Sequence, residues 1–221
     1  SKRAIYKRAI YKRAIYKRAM NKQLTLNIRL RDDATFANYI GSAADRIQHA
    51  EKVVFVFGAE GTGKSHLLQA LCHRENLRGG NSIYLQNPGS HSPEILNSLE
   101  SFSLVCLDDI ESAIEDNDWE VALFHLINSI KDGDSQLVIS SRVPATGLKC
   151  ELPDLVSRLR GAVAVETDKL GDTQKLEVLK IKASNRGFTL NDEVARFILG
   201  RAPREMNHLV DLLERLEAET L

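Results

Sequence analysis

Gly58-Ala59-Glu60-Gly61-Thr62-Gly63-Lys64-Ser65 follows directly on the apolar run Val53-Val54-Phe55-Val56-Phe57. The octapeptide matches G-x-x-x-x-G-K-[ST], and the β-rich run before it has the character of a strand buried on both faces. Glycines let a backbone wrap closely round an anion, and the helix expected from Ser65 to Arg78 brings the positive end of its dipole to the same point. In such a loop the lysine reaches the β- and γ-phosphates of a nucleotide and the following hydroxyl ligates Mg²⁺. Gly58, Glu60, Gly61, Thr62, Gly63, Lys64, Ser65 and His66 are therefore candidates for binding ADP or ATP, and Ser65 is a candidate magnesium ligand.

Outward from this point, short apolar runs alternate with helical stretches. Strands are expected at Ser82 to Leu85, Leu104 to Leu107, Leu137 to Ser140 and Ala162 to Val165, and helices at Pro93 to Ser101, Trp119 to Lys131 and Pro153 to Arg160. That alternation predicts an α/β fold with a doubly wound parallel sheet. After Glu166 only helices are expected: Thr173 to Arg186 before Gly187, a second capped by Asn191, and a third opened by Pro203 with Met206, Leu209, Val210 and Leu213 at helical spacing. Such short helices must pack on one another to be stable, which makes them a small helical lid.

The four apolar residues Leu104 to Leu107 end in Asp108-Asp109. Open α/β sheets place their ligands at the carboxyl ends of strands, so Asp108 is a second candidate for the magnesium shell, acting through water, and Asp109 one for orienting an attacking water. A strand-end turn would use the same pair. Ser140-Ser141-Arg142 closes the fourth strand; Ser140 is a candidate sensor of the γ-phosphate or a turn former. Arg204 lies in the first turn of the last helix, where a cation meets the positive dipole end and is disfavoured by about 0.3–1 kcal/mol. A nucleotide phosphate would relieve that conflict, as would Glu205. Arg158 has two readings, an i,i+4 pair with Asp154 and a guanidinium offered to a nucleotide on a neighbouring molecule.

Composition narrows the class. Hydrophobic residues make up 43% and charged residues 27% of 221 positions, and no apolar run approaches the roughly 20 residues that span a bilayer, so a cytoplasmic protein without membrane association is expected. Cys72, Cys106 and Cys150 form no C-x-x-C pair, which excludes a zinc-ribbon spacing. Residues 1–20 carry eight of the 30 basic side chains and none of the 30 acidic ones, leaving 22 basic against 30 acidic in the remainder. A net charge of −8 there argues against strong direct DNA binding by the folded part. Lys-Arg-Ala-Ile-Tyr occurs three times in residues 2–16 and begins again at Lys17. A period of five builds no continuous apolar face on a helix or a strand, so residues 1–19 are read as an appended, non-native extension, although a cationic repeat also suits nucleic acid or anionic lipid.

Taken together, Gly-Thr-Gly-Lys-Ser-His-Leu-Leu-Gln-Ala, Leu-Val-Cys-Leu-Asp-Asp-Ile-Glu, Trp119-Glu-Val-Ala-Leu-Phe-His-Leu, Leu-Pro-Asp-Leu-Val-Ser-Arg158-Leu and Pro-Arg204-Glu-Met resemble the DnaA-type AAA+ family over Lys22 to Leu221. The resemblance implies a P-loop AAA+ module over 31–168 and a lid over 169–221. It gives Arg158 the arginine-finger place and Arg204 the lid-arginine place, and it sets Phe36 and Tyr39 beside the nucleotide base, where core packing is the alternative. Gln23-Leu24-Thr25-Leu26-Asn27-Ile28, within residues 20–30, resembles the peptide by which regulatory members of the family grip the DNA polymerase sliding clamp. Gln23, Leu24, Leu26 and Ile28 would make the contact, though alternation alone also suits an edge strand. No DNA-reading domain follows the lid, which points to a regulator of the DnaA initiator more than to an initiator.

The expected function is then to dock on the clamp and stimulate ATP hydrolysis by DnaA, which prevents re-initiation. The rival is an autonomous AAA+ ATPase such as a helicase loader or remodeller, since Asp109 keeps an acid after Asp108. Self-association is compatible with either. By that resemblance Ser140 to Pro144 runs one residue shorter than the family pattern, and a lid trimmed at Leu221 is expected.

Overall fold

The computed structural model describes residues 30–50, 52–201 and 206–220. Five strands, β1 (Val53–Phe57), β2 (Ser82–Gln86), β3 (Leu104–Asp108), β4 (Gln136–Ser141) and β5 (Val163–Glu166), form one wholly parallel sheet in the order β2-β3-β4-β1-β5. The alternating reading of strands and helices is confirmed in fold class, and the order places β4 between β3 and β1.

Period-two alternation divides the apolar strands between two cores. Val53, Phe55, Ile83, Leu85, Val105, Leu107, Leu137 and Ile139 face one side, against Trp119, Leu123, Ile127 and Ile130 of α4 (Asn117–Asp132) and Leu155 and Leu159 of α5 (Pro153–Arg160). Val54, Val56, Tyr84, Leu104, Cys106, Val138 and Val165 face the other. They pack against Ile47 of α1 (Ala43–Gln48) and against Leu67, Leu68 and Leu71 of α2 (Lys64–Leu77), three leucines with no exposure at all. Each buried leucine contributes about 1.5–3 kcal/mol, which fixes α2 against the sheet.

Local chemistry sets the helix ends. Asp116 caps α4 by accepting from the Asp118 N–H at 2.8 Å, so the helix starts two residues ahead of the expected Trp119. Between β3 and α4 runs the single turn α3 (Glu111–Ile114). The helix expected over Pro93 to Ser101 is absent; two 3₁₀ turns, Pro93–Leu96 and Leu99–Ser101, stand in its place. Ser98, at φ 69°, breaks any continuous helix, yet Leu96, Leu99 and Phe102 are all buried. Their spacing of three suits three residues per turn, and it also reads as the start of an α-helical stripe.

After β5, α6 (Asp172–Asn185), α7 (Asp192–Arg201) and α8 (Met206–Thr220) pack through Val178, Leu179, Ala183, Leu190, Ala195, Ile198, Leu209 and Leu213. Asn191 caps α7, its Oδ1 accepting from the Val194 N–H at 2.9 Å. Among the described residues no helix is long and apolar enough to cross a membrane. On the sheet's edge, Arg46 donates to the Ala164 carbonyl of β5 at 2.8 Å.

Candidate nucleotide site

β1 delivers the chain into the phosphate loop, and α2 leaves it. Gly61 (φ 74°) and Gly63 (φ 88°) adopt left-handed backbone that side chains disfavour. A Cβ on Gly63 would also come within 2.8 Å of the Tyr39 ring, so the glycine brings the loop and that aromatic together. Thr62 Oγ donates to the Ala59 carbonyl at 2.7 Å and lies 2.7 Å from Thr167 Oγ. The Thr167 N–H in turn donates to the Phe57 carbonyl at 2.8 Å. Behind the loop, a Cβ on Gly58 would lie 2.8 Å from the Thr167 carbonyl oxygen. Thr167 thereby locks the loop to the stretch leading into the lid.

The loop opens on a cavity of about 840 Å³ between the sheet and the lid. Glu60, Gly61, Thr62, Gly63, Lys64, Ser65 and His66 line its floor, Asn38, Tyr39 and Ile40 one wall, and Lys182, Met206 and Val210 the lid side. Its size falls within the range of small-molecule sites. Lys64 Nζ donates to the Gly58 and Ala59 carbonyls at 2.8 and 2.9 Å. Burial pushes its pKa down, and Asp109, Asp108 and Glu111 push it back up. The Tyr39 and His66 rings stand 5.7 Å apart between centroids. Burial lowers the His66 pKa, and Nε2 lies 2.7 Å from the Thr35 carbonyl, so that nitrogen carries a proton.

Asp109 lines the cavity in left-handed backbone (φ 57°), and its carboxyl is raised by burial and by the charges of Asp108 and Glu111. Asp108 is fully buried beside it. Its Oδ2 accepts from the Tyr84 hydroxyl at 2.5 Å and its Oδ1 from Ser140 Oγ. Negative charge crowded onto Asp108, Asp109 and Glu111 is what a divalent cation relieves, so the residues fit magnesium. Among the described residues no three His, Cys, Asp or Glu side chains converge as a ligand cage. Ser65 and Asp108 would hold such an ion together with waters and phosphate oxygens, as Mg²⁺ prefers, and the ion would supply charge compensation to the phosphates.

The remaining candidates are dispersed. Ser140 is the last residue but one of β4 and points at Asp108, its Oγ also accepting from the Asp109 N–H at 3.0 Å, and it does not line the cavity. Phe36 packs on the core with the Arg74 guanidinium 5.3 Å from its centroid, while Tyr39 alone of the two aromatics reaches the cavity. Arg158 is exposed on α5, donating to Asn128 Oδ1 at 2.9 Å and lying 6.0 Å from the Phe124 ring centroid. It forms no ion pair with Asp154. Arg204 and the segment holding Gln23, Leu24, Leu26 and Ile28 fall outside the described residues. Sequence reading missed Tyr84, Arg142, Lys182 and Thr167; only Arg142, beside the strand-end serines, carried a positional signal.

A sheet ordered β2-β3-β4-β1-β5, a phosphate loop after β1, paired aspartates after β3 and a helical lid closing the cavity together restrict the family. Residues 32–166 match the profile of the bacterial DnaA ATPase domain, and residues 172–221 that of the Hda lid domain. The chain belongs to the bacterial DnaA ATPase-domain family. It is 37% identical over 213 residues to an uncharacterized protein of Haemophilus influenzae, covering 91% of this chain and 92% of that one. Among solved structures it is similar to the replication initiator DnaA bound to AMPPCP and single-stranded DNA (22% identity, TM-score 0.71, 85% of this chain and 66% of that one). AMPPCP-bound DnaA from Aquifex aeolicus is similar at 24% identity and a TM-score of 0.67, covering 84% and 66%. At those identities the likeness is one of fold, and the chain spans about two thirds of the DnaA chains it matches.

Proposed function

We propose that this DnaA-family protein is a nucleotide-bound, cytoplasmic adaptor of replication control. ADP or ATP with Mg²⁺ occupies the cavity, Gln23-Leu24-Thr25-Leu26-Asn27-Ile28 docks on the DNA polymerase sliding clamp, and Arg158 completes the ATPase site of ATP-bound DnaA. Hydrolysis there transfers the γ-phosphoryl group to water and leaves DnaA with ADP. The observation that carries the reading is the position of Arg158. Its guanidinium is exposed, lies outside the chain's own cavity, and is free of the Asp154 pair that would make it a merely local contact.

The helix bearing Arg158 is also unusually well anchored. Glu120, only 1% exposed, accepts from the Glu151 N–H at 3.0 Å and the Leu152 N–H at 2.6 Å, immediately before α5. A buried carboxylate is costly unless its donors are fixed, so it specifies where α5 starts and where Arg158 emerges. A guanidinium held in this way can meet the charge spread over γ-phosphate oxygens of a neighbouring molecule.

The second reading, an autonomous ATPase, is favoured by Asp109, a carboxylate facing the cavity near Lys64. Single-turnover hydrolysis by ATP-loaded DnaA on clamp-loaded DNA separates the two. The adaptor accelerates it and turns over little ATP alone; substantial turnover alone without an effect on DnaA would replace it with the second reading.

A further inference from the structure

Tyr84 of β2 pairs in register with Cys106 of β3, and Asp108 lies two positions further along on the same sheet face. The tyrosine is 6% exposed yet lines the cavity, whereas Asp108, to which it donates at 2.5 Å, does not. Ser140 donates to the other carboxylate oxygen and itself accepts the Asp109 N–H. Both oxygens of a fully buried carboxylate are thus held by hydroxyl donors, which compensates its charge and fixes its rotation.

Tyr84 shares the cavity wall with Gln69 and Ser65. Gln69 uses its Oε1 to accept the Arg31 N–H at 2.9 Å.

We infer that Tyr84 is a positioning residue for the magnesium side of the nucleotide site: its hydroxyl, on the cavity wall, bonds the Asp108 carboxylate just behind that wall and fixes the orientation from which it meets the water shell of a divalent cation. The inference rests on the reading of the cavity as a nucleotide-magnesium site. In this role Tyr84 acts through Asp108. Loss of the hydroxyl leaves one buried carboxylate oxygen short of a donor, and the carboxylate is then free to rotate. That rotation weakens its hold on a cation's water shell.

The test is a binding ratio. Affinity of the full chain for fluorescent ADP is measured with Mg²⁺ and with EDTA, and the enhancement by Mg²⁺ is compared between wild type, Tyr84→Phe and Ser140→Ala. The enhancement should fall at least threefold in Tyr84→Phe and move in the same direction in Ser140→Ala. A structural role alone would lower both affinities in step and leave the enhancement unchanged, which would overturn the inference. If Tyr84→Phe does not fold, 3,5-difluorotyrosine at position 84 keeps the shape and changes the strength of the hydrogen bond to Asp108. An enhancement displaced more than twofold then supports the role, and one equal to wild type overturns it. Failure of the wild type to bind ADP under either condition would instead remove the nucleotide reading, and this inference with it.

Discussion

Lys182, on the first helix of the lid, donates to Asp33 Oδ2 at 2.8 Å and so ties the lid to the segment that precedes α1. The side chains are only 12% and 22% exposed, so water screens the pair weakly. Burial alone would raise the Asp33 carboxyl, but the Lys182 hydrogen bond and the charges of Lys182, Arg31 and His66 bring it below its ordinary value. Lys182→Met should cost about 1.5–3 kcal/mol at neutral pH, the range for a hydrogen bond to a charged group. Because the carboxyl is depressed in the fold, its contribution is complete above an ordinary carboxylate pKa of about 4 and fades as pH falls below it. Denaturant melts at pH 7 and pH 3 check this: the gap between variant and wild type should be wide at the first and narrow at the second.

Lys64→Ala should reduce ADP affinity by at least about tenfold, since one charge-assisted hydrogen bond contributes about 1.5–3 kcal/mol. The lysine's present acceptors are the loop's own carbonyls, so the variant also loses a brace across the loop. Titration with labelled ADP, alongside a circular-dichroism melt, separates lost binding from lost folding. Wild-type affinity in a folded variant would detach the loop from the nucleotide.

Arg158→Ala should keep its fold, giving up one exposed hydrogen bond to Asn128 and a stacking contact with Phe124, together about 0.5–1 kcal/mol. Its ADP affinity and clamp binding should match wild type. Acceleration of DnaA hydrolysis should collapse, because fingers supplied in trans are worth about 10³–10⁵ in rate in well-studied GTPases. Lysine should rescue little, as a point charge cannot reproduce the planar fork. A variant as active as wild type would overturn the adaptor mechanism.

Replacing Gln23 and Leu24 by alanine should abolish clamp capture without changing nucleotide affinity. Pull-down with purified clamp is the measurement, and capture at wild-type level would place the docking surface elsewhere on the chain.

The parts of the site that lie in one stretch of chain were legible. The phosphate loop and Asp108-Asp109 are read from a glycine pattern and from two charges ending an apolar strand. Contacts made by folding were not. Tyr84 meets Asp108 only because two strands pair in one particular register, and nothing in Ser-Ile-Tyr-Leu distinguishes it from a core aromatic. Thr167 and Lys182 reach partners 105 and 149 residues away. Ser140 shows a subtler limit: its place at the end of β4 could be anticipated, while the direction of its hydroxyl depended on a neighbour. The 3₁₀ turns over Pro93–Leu96 and Leu99–Ser101 escaped because a spacing of three starts both kinds of helix.

The sheet's last strand has a consequence for solubility. β5 ends the sheet, with Val163 exposed, so its open side is a rim on which a foreign strand could be templated, but at four residues it offers little length for pairing. Arg46 already occupies the Ala164 carbonyl there and adds a cation to the rim. Strand-to-strand growth into fibres is thereby discouraged, and any assembly of these molecules is steered toward contacts between side-chain surfaces.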